Sequence, residues 1–236
     1  MTDNSITLFV FEGKKQERQY LHVFLKLLPV NIKRIEIAWC THIYDLHNKL
    51  TGDPDLDTFE LLKEGCSDLS SEDYDRDDIA RIYLFFDYDG HVPEANNEIM
   101  KKMLKIFDNE TDKGKLFLSY PMLEALTDNN SDSNFKDITT KIKLGSHYKN
   151  LSLLSLKELT ELPLNDFMNL VSKHLKKANF LVNGQCQNPN SVIEQHDIFN
   201  AQLKKHIDPN KEVAVLSALP LFYLDYKGVS ALTEFS

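Results

Sequence analysis

Two short apolar runs limit what this chain can fold into more than any other feature. Ile6-Thr-Leu-Phe-Val-Phe11 shows no polar alternation and stops on Glu12-Gly13, and Ile82-Tyr-Leu-Phe-Phe86 stops on Asp87-Tyr88-Asp89-Gly90. Such β-branched and aromatic runs, about five residues long, read as strands buried on both faces. Strands of that kind belong to sheets covered by helices. The predicted fold class is therefore α/β: a mostly parallel sheet of about four strands flanked by helices, with a helical C-terminal portion. Open α/β sheets bind ligands at the carboxyl ends of their strands, and both runs deliver acid there. If the two strands are parallel neighbours, Glu12, Asp87 and Asp89 converge. Converging carboxylates repel one another unless a cation neutralises them, and oxygen-only ligands favour Mg²⁺ or Mn²⁺. Taken alone, Glu-Gly after a strand is usually a turn, and Asp-x-Asp-Gly a turn with a helix cap. The recurrence at two strand ends is what points to a site.

The elements between and beyond these runs follow from periodicity. Lys14 to Leu28 reads as a helix with Tyr20, Val23, Phe24, Leu27 and Leu28 on one face, closed by Pro29. Lys14, Lys15 and Arg18 lie in its first turns, beside the place where a metal-bound phosphate would sit, and a helix N-terminus favours an anion. The same three cations also fit a solvated face. Glu17, one turn beyond Glu12, is a further candidate ligand. Ile32 to Trp39 alternates as a strand, and His42 to Leu50 reads as a helix with Ile43, Leu46 and Leu50 inward. Thr51 to Asp78 is acidic and turn-rich, the pattern of a solvated loop, with a short helix around Phe59, Leu61 and Leu62. Asp87 and Asp89, two apart on an extended segment, share a side.

Asn96 to Phe107 is amphipathic, with Ile99, Met103, Ile106 and Phe107 inward and Lys101, Lys102 and Lys105 outward. Lys115 to Ser119 is a strand, followed by Tyr120-Pro-Met-Leu-Glu124. Pro121 suits a first helical turn, which places Glu124 on that turn. An acid there is also favoured by the helix dipole alone. Asn129 to Asn134 is a polar break and sets the expected domains, 1–128 and 135–236. Leu151 to Leu162, Leu164 to Phe180 and Ser191 to Ile207 have helical period, and Lys173, Lys176 and Lys177 make the second of these basic. Val213 to Tyr223 is strongly apolar and holds Pro220, as a buried helix or a docking surface would.

Composition narrows the function classes. The chain has 236 residues with a net charge of −9, which argues against broad, nonspecific adhesion to nucleic acid but not against a metal-dependent nuclease. Cys40, Cys66 and Cys186 are odd in number and widely spaced, so they suit thiols of a reducing compartment better than zinc ligands or disulfides. No apolar run is long enough to span a bilayer, and the polar, acidic start is unlike a signal peptide. These features together predict a cytoplasmic protein. There is no Walker phosphate loop.

Glu12-Gly13 after a strand and before a helix, then Asp87-x-Asp89 after a later strand, resembles the Toprim domain of topoisomerases, DnaG-type primases and OLD-family nucleases. The Ser119-Tyr-Pro-Met-Leu-Glu-Ala-Leu126 stretch is similar to a segment of Toprim nucleases in bacterial defence systems. The resemblance covers roughly the first half of the chain. It implies a Mg²⁺-dependent endonuclease, with Glu12, Asp87 and Asp89 as metal ligands and catalytic residues. Glu12 has an alternative role as general base. Glu124 or Glu17 would complete the metal site. OLD-like proteins carry a second acid a few positions after Glu-Gly, where this chain has Gln16 and Glu17. Lys14, with Lys15 and Arg18, would hold the scissile phosphate of DNA or RNA, transfer RNA included. Small proteins of this kind resemble the toxic effectors of antiphage systems (PARIS-like two-gene systems among them). The implied partner is an ABC- or SMC-type ATPase, and a homodimer is a further expectation. A topoisomerase needs a gate that this length does not accommodate, a primase usually carries a zinc domain, and a phosphotransfer receiver needs an acid pair on its first strand. The alternative expectation is a catalytically silent Toprim-fold interaction module.

Overall fold

The computed structural model describes residues 6–27, 32–52, 57–70, 73–88, 90, 92–93, 95–128, 135–142, 148, 154–230 and 232. Asp89 lies outside them, as do Leu28, Pro29 and the polar break 129–134. The chain divides into two compact units, Met1–Phe86 with Pro93–Leu116, and Asp87–Val92 with Phe117–Ser236.

The fold is α/β, with a mostly parallel five-stranded sheet and helices. Its strands are β1 (Ile6–Phe11), β2 (Arg34–Ala38), β3 (Ile79–Asp87), β4 (Asp108–Asn109) and β5 (Gly114–Ser119), in the order β2-β1-β3-β5-β4. Both apolar runs of the sequence are strands, and they pair. Every residue of β1 is buried, as an unalternating run requires of a central strand. It runs parallel to β2 on one side and to β3 on the other, with Phe11 opposite Ala38 and Phe85. Phe9 lies 5.8 Å from Tyr83 and 6.0 Å from Phe85, and Phe11 lies 5.4 Å from Phe85 (ring centroids). The fifth strand beyond the expected four is the two-residue β4, antiparallel to β5. Gly114 sits at this hairpin at φ +112°, where a β-carbon would stand 2.7 Å from Leu84 Cδ1, so the position needs glycine.

Helices of the first unit are α1 (Gln16–Leu27), α2 (Ile43–Gly52), α3 (Thr58–Gly65), α4 (Ser67–Ser70) and α5 (Asn97–Ile106). α2 buries Ile43, Leu46 and Leu50 as its spacing predicts. Thr51 to Asp78 is not one solvated loop. Asp57 caps α3 by accepting the Phe59 and Glu60 N–H groups, and Thr58, Phe59, Leu61 and Leu62 are buried. The acidic composition there reflects caps and an outer face around a small apolar stripe. In α5 the inward stripe is rotated from the expected one. Met100, Met103 and Leu104 are buried, with Phe107 just beyond, while Ile99 and Ile106 are half-buried.

The second unit is mainly helical: α6 (Leu156–Glu161), the long α7 (Leu164–Asn183), α8 (Gln195–Gln202) and α9 (Ala218–Lys227). A two-stranded antiparallel ribbon joins β6 (Thr139–Lys141) to β7 (Glu212–Ala214). α7 stops at Gly184, whose left-handed backbone (φ +73°) donates its N–H to Phe180 O at 3.0 Å. Three expectations are corrected here. The helix predicted over Ser191 to Ile207 starts at Gln195 and passes into a π-helical turn at Leu203–Ile207. The apolar run 213–223 is not one helix. It holds the end of β7, then a break at Ser217 whose hydroxyl caps α9. Uninterrupted apolarity reported burial on all sides and not the element type: Val213 to Leu224 is buried throughout. The turn carrying Glu124 is a short 3₁₀ turn, Leu123–Thr127, that begins two residues after Pro121.

Candidate functional site

Glu12 follows the last residue of β1, and its main chain is held on both sides. Its N–H donates to Phe85 O at 3.3 Å, and its carbonyl accepts from Cys40 N–H at 2.8 Å. Gly13 is placed by what lies against it. The Gly13 N–H donates to Glu17 Oε1 at 3.0 Å, and a β-carbon on Gly13 would stand 2.4 Å from that same oxygen. The glycine therefore makes room for Glu17, in the first turn of α1, to fold back over the end of β1. Lys14 and Lys15 are exposed and Arg18 is half-buried. The first unit thus gathers Glu12, Glu17, Lys14, Lys15 and Arg18 within one strand-to-helix turn.

Asp87 closes β3 and is half-buried. Its neighbour Tyr88 donates its N–H to Ser119 O at 2.9 Å and packs on Tyr120 and Phe199 at 5.6 and 5.9 Å, so the segment after β3 is anchored in the second unit. Glu124 is buried, only 7% exposed, in the 3₁₀ turn. Carboxylate oxygens are the hard donors that Mg²⁺ or Mn²⁺ takes, and in that respect the acids suit the expected cation. Among the described residues, however, no three His, Cys, Asp or Glu side chains are grouped closely enough to hold a metal. Asp89, the third expected ligand, lies outside those residues. All three cysteines are free, and no described helix is long and apolar enough to cross a membrane.

The second unit contains a buried polar cluster that the sequence did not announce. Asp128 is fully buried and accepts the Tyr148 hydroxyl at 3.0 Å. Burial, then the charges of Asp128 and Glu124, push the Tyr148 phenol far above its ordinary range. His174, also fully buried, accepts the Ser217 N–H on Nδ1 at 3.1 Å, which leaves the proton of its neutral ring on Nε2. Burial, then the nearby Lys177 ammonium, lower its pKa to about 3, against a weaker opposing pull from the Leu126 and Ala125 backbone. Lys177, 1% exposed, donates to Phe135 O at 2.8 Å and Ile138 O at 2.7 Å, and its Nζ lies 4.5 Å over the Phe135 ring. Burial lowers its pKa to about 7, against the opposing pull of Asp128 and Asp137. The basic tint of α7 was visible in the sequence. That residues 135–138 cover one of its lysines was not.

No family model matches the chain, and no curated protein or solved structure matches it either.

Proposed function

We propose that the chain is a Toprim-like, metal-dependent nuclease that hydrolyses phosphodiester bonds in DNA or RNA. The observation that carries this reading is the parallel pairing of β1 with β3 in an α/β sheet, with Glu12 directly after one strand and Asp87 closing the other. Carboxyl ends of parallel strands are where such sheets place their ligands. Glu12, Asp87 and Asp89 would hold the cation, with Glu17 or Glu124 as a further oxygen donor. A bound Mg²⁺ or Mn²⁺ would supply Lewis acidity at a phosphoryl oxygen and an activated water. The chain's own residues have separate tasks. Glu12, in its alternative role as general base, would accept a proton from the attacking water. Lys14, with Lys15 and Arg18, offers charge-assisted hydrogen bonds to the phosphate next to the N-terminus of α1. Glu17 braces the Gly13 backbone, next to Glu12. The wider reading is that of a toxic antiphage effector restrained by an ABC- or SMC-type ATPase, and it rests on the same motif resemblance. The test is cleavage of duplex DNA and of total transfer RNA by the purified chain with Mg²⁺ or Mn²⁺, beside Asp87→Asn and Glu12→Gln. Cleavage that needs the metal and vanishes in both folded variants supports the nuclease. Cleavage that persists in them removes the site. A chain that neither cleaves nor binds metal calorimetrically favours the silent interaction module.

A further inference from the structure

We propose that the second unit binds a phosphate group in a cavity walled by Lys136, Lys173 and Lys176 and floored by Lys177, a site separate from the strand-end carboxylates. The inference stands whether or not the chain is a nuclease. The cavity measures about 100 Å³, and Asn169, Phe135 and Cys186 complete its lining. A second cavity of about 220 Å³ shares Lys136 and Lys177 and adds Lys205 and His206. Pockets that enclose drug-sized molecules run to roughly 300–1,000 Å³, so the first cavity suits an anion of a few heavy atoms.

Four lysines around one small cavity are unexpected in a chain of net charge −9. Lys173, Lys176 and Lys177 share a face of α7 at spacings of three and four, and Lys136 arrives from the segment before β6. A solvated basic face would explain three of them but not Lys177, which is 1% exposed. A buried ammonium ordinarily has an ionic partner. Among the described residues, Lys177 Nζ instead donates to two carbonyls and stands over a ring. An ammonium has three donors, and an anion in the cavity would take the third and add a counter-charge in direct contact. Burial depresses the proton affinity of both Lys173 and Lys177, and an anion reverses that effect. Acids also face the group: Asp128 from the end of the 3₁₀ turn, and Asp137 at the second cavity. Among the described residues no acid lines the first cavity, which is why the anion is assigned there. His174 and His206, on α7 and the π-helical turn, complete the titratable neighbours.

The phosphate belongs either to a free nucleotide or pyrophosphate, or to a nucleic-acid backbone, and the test separates them. Calorimetry on the full chain in phosphate-free buffer would use pyrophosphate, AMP and a short single-stranded RNA as probes. The exposed pair Lys136→Ala/Lys176→Ala removes two walls with little risk to the fold. Lys101→Ala/Lys102→Ala, on α5, removes the same charge elsewhere. The proposal predicts binding tighter than ~1 mM that weakens about tenfold or more in the first pair and not in the second. It also predicts an enthalpy that varies with the buffer's ionisation heat near neutral pH, as protons are taken up. Binding of AMP or pyrophosphate assigns the site to a free ligand, and binding of the RNA alone assigns it to a backbone phosphate. No binding by any probe, or equal weakening by both pairs, overturns it.

Discussion

Replacing Lys177 with Met should flatten the rise of stability with pH, because a buried ammonium of lowered proton affinity makes folding depend on pH above neutrality. In the folded chain its pKa is lowered to about 7 from the ordinary 10.5. Between those values the unfolded chain holds more protons than the folded one, so stability rises with pH across that window. Below pH 7 both forms carry the proton and the cost of burying the charge is fully present. From pH 7 to pH 9 the wild type gains about 2 kcal/mol from this group, which for a chain of this length is roughly 4–8 °C in Tm. Lys177→Met also loses the hydrogen bonds to Phe135 O and Ile138 O. That loss does not vary with pH and displaces the whole curve. Asp128, Asp137, Lys173, His174 and His206 remain in both proteins. Scanning calorimetry at pH 7, 8 and 9 in phosphate-free buffer reads the effect as a difference in slope. Parallel curves for the two proteins would refute the argument that Lys177 is buried with a depressed proton affinity.

Other expectations are simpler to read. Gly13→Ala drives a β-carbon into the Glu17 carboxylate and ends its bond to the Gly13 N–H, at a cost of about 1 kcal/mol visible as a Tm lowered by roughly 2–4 °C; an unchanged Tm would mean the bond contributes nothing. If the nuclease proposal holds, the same variant loses cleavage beyond its loss of stability, when assayed well below its Tm. Tyr148→Phe strips a donor from the buried Asp128 carboxylate and should cost about 1–3 kcal/mol. In the wild type, alkaline titration followed by phenolate absorbance should leave that tyrosine un-ionised until the chain unfolds, and its early ionisation would contradict the burial.

The strands of the first unit were legible because β1 and the core of β3 have no exposed face, and apolar runs record that directly. Glu12 and Asp87 were legible for the same reason, as the points where the runs stop. What escaped reading depended on contacts distant in sequence. Residues 213–223 are apolar at β7, at the break and in α9 alike, so no period distinguishes strand from helix. Lys177 looked like its neighbours Lys173 and Lys176 on α7, because its burial depends on the carbonyls of Phe135 and Ile138 some forty positions earlier.

The place of β1 in the sheet also sets a timetable. Its partner β3 lies some seventy positions downstream. A ribosome adding roughly 5–20 residues per second needs about 4–15 s to deliver it. Until then only β2 is on hand, and one flank of an entirely buried strand stays without its mate. Nascent chains halted before Phe85 would therefore carry an open edge suited to intermolecular pairing, and the yield of intact protein depends on how well the cell shelters that edge during synthesis.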